Sequence, residues 1–248
     1  MPIARLLMVG WCLVLTCSMA SHAAGDEDIS GKESIQRETR DVVGWRVHVD
    51  RRLLEDQSKA TERALELLEV QLKQIQRVVP AKAVLELQKV PLYFSPEYDG
   101  IRPRAEFHPD AGWLRDNGRD PVMARAVEFT NVAIFEEEVD RMPNFALHEL
   151  AHAYHFLVLP DGFGNGPIKE AYERAKASGL YDSVEQWHGG GRPNTVGRSY
   201  ALTDPAEYFA ESTEAYFVRN DFFPFTRDQL RRHDPKMTEL LGELWDRR

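Results

Sequence analysis

One segment of this chain places two histidines four residues apart within an apolar run. It reads Ala146-Leu147-His148-Glu149-Leu150-Ala151-His152-Ala153-Tyr154-His155. Since four residues make about one turn of α-helix, His148 and His152 project from the same face, with ring nitrogens close enough to share one metal ion. Glu149 lies one position round the helix, beside the open coordination position. This His-Glu-x-x-His pattern is typical of zinc hydrolases.

The residues around the motif strengthen this interpretation. The helix is apolar on nearly every side, which predicts that it is buried in a core. Two imidazoles and a carboxylate on a buried helix cost free energy unless a partner compensates for their lost hydration, and a metal ion would do so. The alternative is that these polar side chains only form hydrogen bonds with neighbouring elements.

A catalytic zinc ion typically takes three protein ligands and keeps its fourth position for water, so one more ligand must come from elsewhere. The metzincin pattern is excluded, because Val158 stands where its third histidine would be and His155 stands where it has glycine. We expect His155 to lie at the helix surface or to contact a ligand. Glu170, which is 18 residues after His152, is one candidate for the third ligand.

A second candidate lies on a helix that begins near residue 205. Asp204 is suited to cap its amino terminus and Pro205 to occupy its first position. The first turns carry Glu207 and Glu211, which share one face of the helix. One of these carboxylates could bind the metal while the other orients a ligand histidine. Two solvated glutamates are the alternative.

The two helical segments together resemble the catalytic domain of anthrax lethal factor and its secreted bacterial relatives, which are zinc metallopeptidases of the gluzincin type. In that family the second helix has the form Glu-Phe-Phe-Ala-Glu, and a tyrosine lies seven residues before its first glutamate. The matching residues here are Glu207-Tyr208-Phe209-Ala210-Glu211 and Tyr200. The resemblance implies that one zinc ion is bound by His148, His152 and Glu207. It also implies that Tyr200 stabilises the oxyanion, and it leaves Glu211 as the candidate that orients a histidine.

The chemistry that we expect is hydrolysis of peptide bonds. Zinc would activate a water molecule, Glu149 would accept its proton as general base, and Tyr200 would donate a hydrogen bond to the developing oxyanion. Two alternatives stay open, a zinc hydrolase that acts on a non-peptide amide and a zinc-binding scaffold without turnover. The presence of Glu149 argues against the scaffold, because a closed structural site has no use for a base.

The first residues are typical of a secretory signal peptide. Arg5 gives a positive start, residues 6–17 form an apolar run, and Ser21-His22-Ala23 offers a cleavage site. We therefore assign residues 1–23 to a signal peptide that is cleaved near Ala23, and we expect a secreted or periplasmic protein. The apolar run is too short for an ordinary transmembrane helix.

Composition narrows the class of partner. The two cysteines of the sequence, Cys12 and Cys17, lie in the predicted signal peptide, so we expect no disulfide in the mature chain. Thr16 stands before Cys17 where lipoprotein signals usually carry a smaller residue, which disfavours a lipid anchor on Cys17. A net charge of −9 argues against nucleic acid and anionic lipid as partners. The roughly 225 residues that remain after cleavage suit one core. We expect a monomer that binds a peptide or protein substrate and is not stably inserted in a membrane.

The pattern of apolar residues predicts an α+β fold, with a flexible leader over residues 24–41 and one metallopeptidase domain over residues 42–248. We expect a zincin-like architecture, in which a twisted mixed sheet packs on the metal-binding helix and the C-terminal half is mostly helical. Strands are predicted at residues 44–49, 90–94, 126–129 and 131–135, and helices at residues 55–79, 167–178, 205–218 and 226–245. Residues 105–108 are a candidate for the cleft-edge strand that pairs with substrate; a surface loop is the alternative.

Overall fold

A computed structural model describes residues 35–246 of the chain. They form an α+β structure built on a mixed sheet of five strands. In spatial order these strands are β1 (Arg37–Val42), β2 (Trp45–Asp50), β3 (Leu92–Phe94), β5 (Ala126–Phe129) and β4 (Ala105–His108). The central strands β2, β3 and β5 are parallel, whereas β1 and β4 run antiparallel to their neighbours and form the two edges.

Most of the other described residues belong to helices. They are α1 (Arg51–Asp56), α2 (Ser58–Val78), α3 (Ala81–Leu87), α4 (Ala111–Asp116), α5 (Phe135–Arg141), α6 (Phe145–Leu157), α7 (Gly166–Ser178), α8 (Pro205–Phe217), α9 (Arg227–His233) and α10 (Pro235–Trp245). A small hairpin of β6 (Val184–Gln186) and β7 (Thr195–Gly197) lies between α7 and α8 in the chain. The predicted helical character of the C-terminal half is confirmed, with this hairpin as an interruption.

One face of the main sheet carries the largest hydrophobic core. Its side chains form rows in register across the parallel strands, the first being Val47, Leu92 and Val127 and the second Val49, Phe94 and Phe129. Because side chains alternate between the faces of a strand, both rows point to the same side. There they join the apolar residues of α2 and α6 in one buried cluster. The metal-binding helix predicted from the sequence is therefore packed on the sheet.

The long helix predicted for residues 55–79 is present but divided. Gln57 has a non-helical φ of −131° and separates α1 from α2. The Thr61 hydroxyl donates to the backbone oxygens of Leu53 and Gln57, which holds the two helices together at this break. The helix ends where predicted, because Val79 before Pro80 adopts the extended conformation that proline imposes on its predecessor.

The opposite face of the sheet carries a buried charged cluster beneath the segment that includes β4 and α4. The Glu128 carboxylate accepts hydrogen bonds from Tyr98 (2.8 Å) and His108 (2.9 Å) and lies 3.2 Å from the Arg119 guanidinium. Arg119 also binds Glu106 on β4 at 2.6 Å. These contacts fix β4 against the neighbouring strand.

Two predictions about secondary structure are wrong. Residues 131–135 were expected to form a strand, but Val132–Ile134 is a turn of 3₁₀-helix and Phe135 begins α5. Their apolar residues enter the core as a helix because Phe135 packs against Phe145 of α6, with ring centroids 4.8 Å apart. The leader expected at residues 24–41 also ends earlier, since Arg37–Val42 pairs with β2 along its full length.

The predicted signal peptide at residues 1–23 lies outside the described residues, as does the leader up to residue 34. Between residues 35 and 246, none of the helices combines the length and the apolar character that crossing a lipid bilayer requires.

Candidate metal centre

Helix α6 holds both histidines of the motif in a buried position. Asn144 caps its amino terminus by accepting a hydrogen bond from the Leu147 backbone N–H at 3.0 Å. The Asn144 side chain also donates to the backbone oxygen of Gln71, which ties this end of α6 to α2. His148 and His152 are 5% and 9% exposed. Their ring centroids are 4.8 Å apart, as expected for neighbours one turn apart on a helix.

Helix α8 packs against α6 and brings a carboxylate to these histidines. As predicted, Asp204 caps α8, and its side chain accepts from the backbone N–H groups of Ala206 and Glu207. Glu207 therefore lies in the first turn, where the positive end of the helix dipole favours a negative charge. Phe209 of α8 contacts both His155 of α6 and Trp245 of α10, so α8 is held by both helices.

Three side-chain atoms converge in the space between α6 and α8. His148 Nε2 lies 3.1 Å from His152 Nε2 and 3.1 Å from Glu207 Oε2, and His152 Nε2 lies 3.4 Å from the same oxygen. Ligand atoms at about 2.0–2.1 Å from a tetrahedral zinc ion are separated by about 3.3 Å. The three atoms thus have the spacing that one metal ion requires, and these residues could hold it.

Glu214 of α8, which the sequence analysis did not single out, makes the direct contact with the far side of the His148 ring. Its Oε1 lies 2.6 Å from His148 Nδ1. Glu211, which we expected in this role, is 4.0 Å from Nδ1 and instead accepts a hydrogen bond from Asn220. The prediction for Glu211 is therefore corrected to Glu214. A carboxylate behind a ligand histidine fixes its ring orientation and tautomer.

Among residues 35–246, His148, Glu211 and Glu214 form a second group of potential ligand atoms. The 2.6 Å separation of His148 Nδ1 and Glu214 is shorter than the spacing of two ligands on one ion and is that of a charge-assisted hydrogen bond. The group of His148, His152 and Glu207 is therefore the one whose spacing suits a metal ion.

The electrostatics of the centre favour a bound cation. Burial disfavours the charged forms of both His148 and Glu207. The hydrogen bond between them and the contacts with His152 and Glu214 favour the charged forms more strongly. The pKa of His148 is raised well above its usual value and that of Glu207 is held far below its own. Burial raises the pKa of Glu214 to about 7, although the hydrogen bond with His148 acts in the opposite direction. Two carboxylates thus place negative charge around one imidazole.

Glu149 is positioned by the edge strand of the sheet. Its Oε2 accepts a hydrogen bond from the backbone N–H of Phe107 on β4 at 2.8 Å. The Phe107 ring packs against Phe156 and Phe163, which fixes β4 beside α6. The sequence predicted Glu149 next to the metal position but contained no signal for this backbone contact.

Tyr200 lies beside Glu207. It begins a turn of 3₁₀-helix before α8, and its hydroxyl donates to Glu207 Oε1 at 3.3 Å. Burial, followed by the nearby Glu207, raises the pKa of Tyr200 to about 12, so the phenol is a proton donor at neutral pH. Its side chain is nevertheless 47% exposed and is therefore open to a ligand in the cleft.

Two other residues considered from the sequence lie away from this centre. Glu170 is exposed on α7 and belongs to neither group of potential ligands. His155 was expected at the helix surface or against a ligand, but it is fully buried, and neither ring nitrogen has a hydrogen-bond partner among the described residues. It packs against Phe163 and Phe209, and burial lowers its pKa to about 4, which keeps the ring neutral.

The converging residues open onto a cleft of about 830 Å³. Its lining comes from the segment that leads into β4, from α5 and α6, from the β6–β7 hairpin, and from the start of α8. β4 is an open edge of the sheet, so the candidate edge strand at residues 105–108 is a strand and not a loop.

Two contacts of the centre were not found from the sequence. Glu214 follows Glu207 and Glu211 at a helical spacing, so the pattern placed it on the same face but gave no reason to prefer it. The hydrogen bond from Phe107 to Glu149 involves a backbone group and leaves no trace in residue type.

Comparisons of the chain with protein-family models, with curated proteins and with solved structures find no match. A function for this chain therefore follows from the geometry of its own residues.

Proposed function

We propose that this protein is a secreted zinc-dependent metallopeptidase. The observation that carries the proposal is the convergence of His148, His152 and Glu207 next to Glu149, in a cleft bordered by an open strand. Two nitrogen ligands and one oxygen ligand suit zinc, which binds imidazole and carboxylate in catalytic sites with three protein ligands. The proposal that it is secreted rests on the pattern of residues 1–23.

Zinc in this position would polarise a substrate carbonyl and make water acidic enough to give up a proton near neutral pH. Glu149 is the base that accepts this proton, and the N–H of Phe107 holds its carboxylate in place. The same side chain can then deliver the proton to the leaving amine. Tyr200 donates its phenolic hydrogen to the negative oxygen that develops on the substrate.

The edge strand supports a peptide as the substrate. The backbone N–H of Thr130 donates to the oxygen of Arg104, which makes these two residues a hydrogen-bonded pair of the antiparallel ladder. The backbone N–H and C=O groups of the next residue along a strand point to the opposite edge of that strand. The backbone groups of Ala105 and Phe107 therefore point to the open edge. The Phe107 N–H is bound to Glu149, which leaves the N–H and C=O of Ala105 and the C=O of Phe107 to pair with an extended chain. This favours a peptidase over a hydrolase of compact non-peptide amides.

The position of Glu149 argues against a scaffold role. A structural zinc site closes its tetrahedron with four protein ligands, whereas the group of potential ligand atoms that residues 35–246 bring together here has three members and borders the cleft. A base held beside that cleft has a use only in turnover.

We also propose a zincin-like fold related to the catalytic domain of anthrax lethal factor. In support, the mixed sheet packs on the helix of the motif, and its antiparallel edge strand lies next to that helix. The seven-residue spacing of Tyr200 and Glu207 brings their side chains within 3.3 Å, as the resemblance requires of an oxyanion donor near the third ligand.

The test is incubation of the zinc-loaded protein with a diverse peptide mixture, followed by mass spectrometry, with and without a chelator. We expect internal cleavages that the chelator abolishes and that added zinc restores. Cleavage that persists after complete removal of zinc would contradict the proposal. Zinc binding without cleavage of any peptide would instead favour the scaffold or a non-peptide substrate.

A further inference from the structure

Four arginines of the described residues line the cleft; Arg141 is held by Glu138 and Asp221, and the other three are more exposed. Arg102 and Arg104 precede β4, and Arg192 belongs to the loop between β6 and β7. Their side chains are 77%, 51% and 49% exposed. They come from distant parts of the sequence and reach the same cleft as the converging residues.

Contacts with α5 place two of these arginines at the same end of the cleft. Arg102 lies 3.6 Å from Glu138, and Arg192 lies 3.6 Å from Glu137. Glu137 and Glu138 are consecutive residues of α5, so the two guanidinium groups lie near the same short helix. Arg102 approaches α5 from the segment before β4, and Arg192 approaches it from the hairpin. A chain bound in the cleft would pass between them.

The guanidinium groups of Arg102 and Arg192 are available to a ligand. Their contacts with Glu138 and Glu137 are too long for hydrogen bonds. The Arg192–Glu137 pair is also exposed on both sides, and such a pair contributes little stability. Glu138 is already held by Arg141 at 2.8 Å. A substrate carboxylate could therefore replace both contacts at little cost.

Arg104 differs because it is anchored. Its guanidinium binds Glu106 at 2.6 Å, and Glu106 is also bound by the buried Arg119. The five N–H donors of an arginine allow it to keep this contact while it binds a second carboxylate. Arg104 thus provides a fixed donor between the more exposed Arg102 and the edge strand.

The register of β4 relates these arginines to the scissile bond. Antiparallel pairing, the more stable arrangement, would run the substrate in the direction opposite to β4. A peptide with its scissile bond near Phe107 and Glu149 would then extend its carboxyl side toward Arg104 and Arg102. At one residue of substrate for each residue of strand, Arg104 and Arg102 would face about the third and the fifth residue after the bond.

We propose that the cleft selects peptides with an acidic side chain at about the third to fifth position on the carboxyl side of the scissile bond, bound by Arg102, Arg104 and Arg192. This inference rests on the proposed peptidase function. The net charge of the chain is −9, so its overall field repels acidic peptides, and a preference for them can come only from local contacts.

The experiment compares peptides that are identical except for Glu, Gln or Lys at these positions, built on a sequence that the zinc-loaded protein cleaves. We expect kcat/KM for the best Glu peptide to exceed that for its Gln counterpart by at least about tenfold, with Lys lower still. In the double variant Arg102→Gln and Arg192→Gln, this ratio should fall to about threefold or less. Arg115→Gln, which removes an exposed arginine outside the cleft, is the matched control and should keep the ratio.

A binding measurement separates this inference from the proposed function. The same peptides, carrying a fluorophore, are titrated with the Glu149→Gln protein, and their anisotropy gives the affinity without turnover. Tighter binding of the Glu peptides that the double variant abolishes supports the inference. Cleavage or binding with no preference for Glu would overturn it and leave the peptidase proposal intact. Failure of every peptide to bind or be cleaved would overturn both.

Discussion

The Nδ1 atom of His148 lies 2.6 Å from a carboxylate oxygen of Glu214, across the contact between α6 and α8. In its ionised form the Glu214 carboxylate only accepts hydrogen bonds, so with a metal ion bound it would keep the hydrogen of His148 on Nδ1 and leave the lone pair of Nε2 to the metal. The hydrogen bond also joins the two helices that supply the ligands. We therefore expect Glu214 to influence metal binding through His148.

Glu214→Gln should lower zinc affinity by about 10- to 100-fold, since a neutral amide holds and polarises the imidazole less well. Competition with a chromophoric chelator measures the dissociation constant. Glu173→Gln, which changes an exposed glutamate of α7, is the control and should bind zinc as the wild type does. Equal affinities for all three proteins would show that His148 does not depend on Glu214.

Zinc should raise the thermal stability of the protein, because the converging ligand atoms exist only in the folded state. At a free concentration one hundred times the dissociation constant, the gain is about 2.7 kcal/mol. Differential scanning fluorimetry with and without zinc measures the shift in Tm. His152→Ala should remove most of it; a shift that survives this substitution would place the ion elsewhere.

Glu149→Gln should retain zinc and lose turnover by about two to four orders of magnitude, as expected for loss of a general base. The amide oxygen can still accept the hydrogen bond from Phe107, so β4 should stay in place. Peptide hydrolysis and metal content are measured on the same preparation. Glu170→Gln, outside the cleft, should leave both unchanged, and wild-type rates in Glu149→Gln would remove the base assignment.

Tyr200→Phe should lower kcat by about one to three orders of magnitude, which is the usual cost of losing one oxyanion donor. The hydroxyl is half-exposed and its hydrogen bond to Glu207 is long, so folding stability should change little. Steady-state kinetics and urea unfolding give the two quantities. Unchanged kinetics would leave Tyr200 as a packing residue at the cleft wall.

Glu128→Gln should destabilise the protein in a pH-dependent way. Burial raises the pKa of Glu128, but hydrogen bonds led by the one from His108 outweigh it and hold the pKa below the usual 4.5. A depressed carboxyl pKa stabilises the folded state above about that value, and the contribution is lost as the pH falls through the folded pKa.

At neutral pH, Glu128→Gln should therefore lower the free energy of unfolding by about 2 kcal/mol. Urea unfolding measured from neutral pH down to about pH 3 should show the difference from wild type shrinking below pH 4.5. A difference that is constant over this range would mean that the charge of Glu128 does not stabilise the fold.

The sequence alone determined the features that depend on local geometry. The spacing of His148 and His152 brings two imidazoles to one face of any helix that contains them, and Asp204 with Pro205 starts a helix wherever the chain permits one. The rows of apolar residues on alternate strand positions likewise predicted most of the sheet. In each case the interacting residues are at most a few positions apart, so the backbone itself fixes their relation.

Only the tertiary structure decided which carboxylates serve the centre. Glu207, Glu211 and Glu214 share one face of α8, and the angle at which α8 meets α6 places the first at the metal position and the last behind His148. The same holds for residues 131–135, whose apolar character suits a strand or a helix until packing against α6 selects the helix. Contacts between distant segments depend on how whole elements pack, and residue spacing along the chain does not encode that.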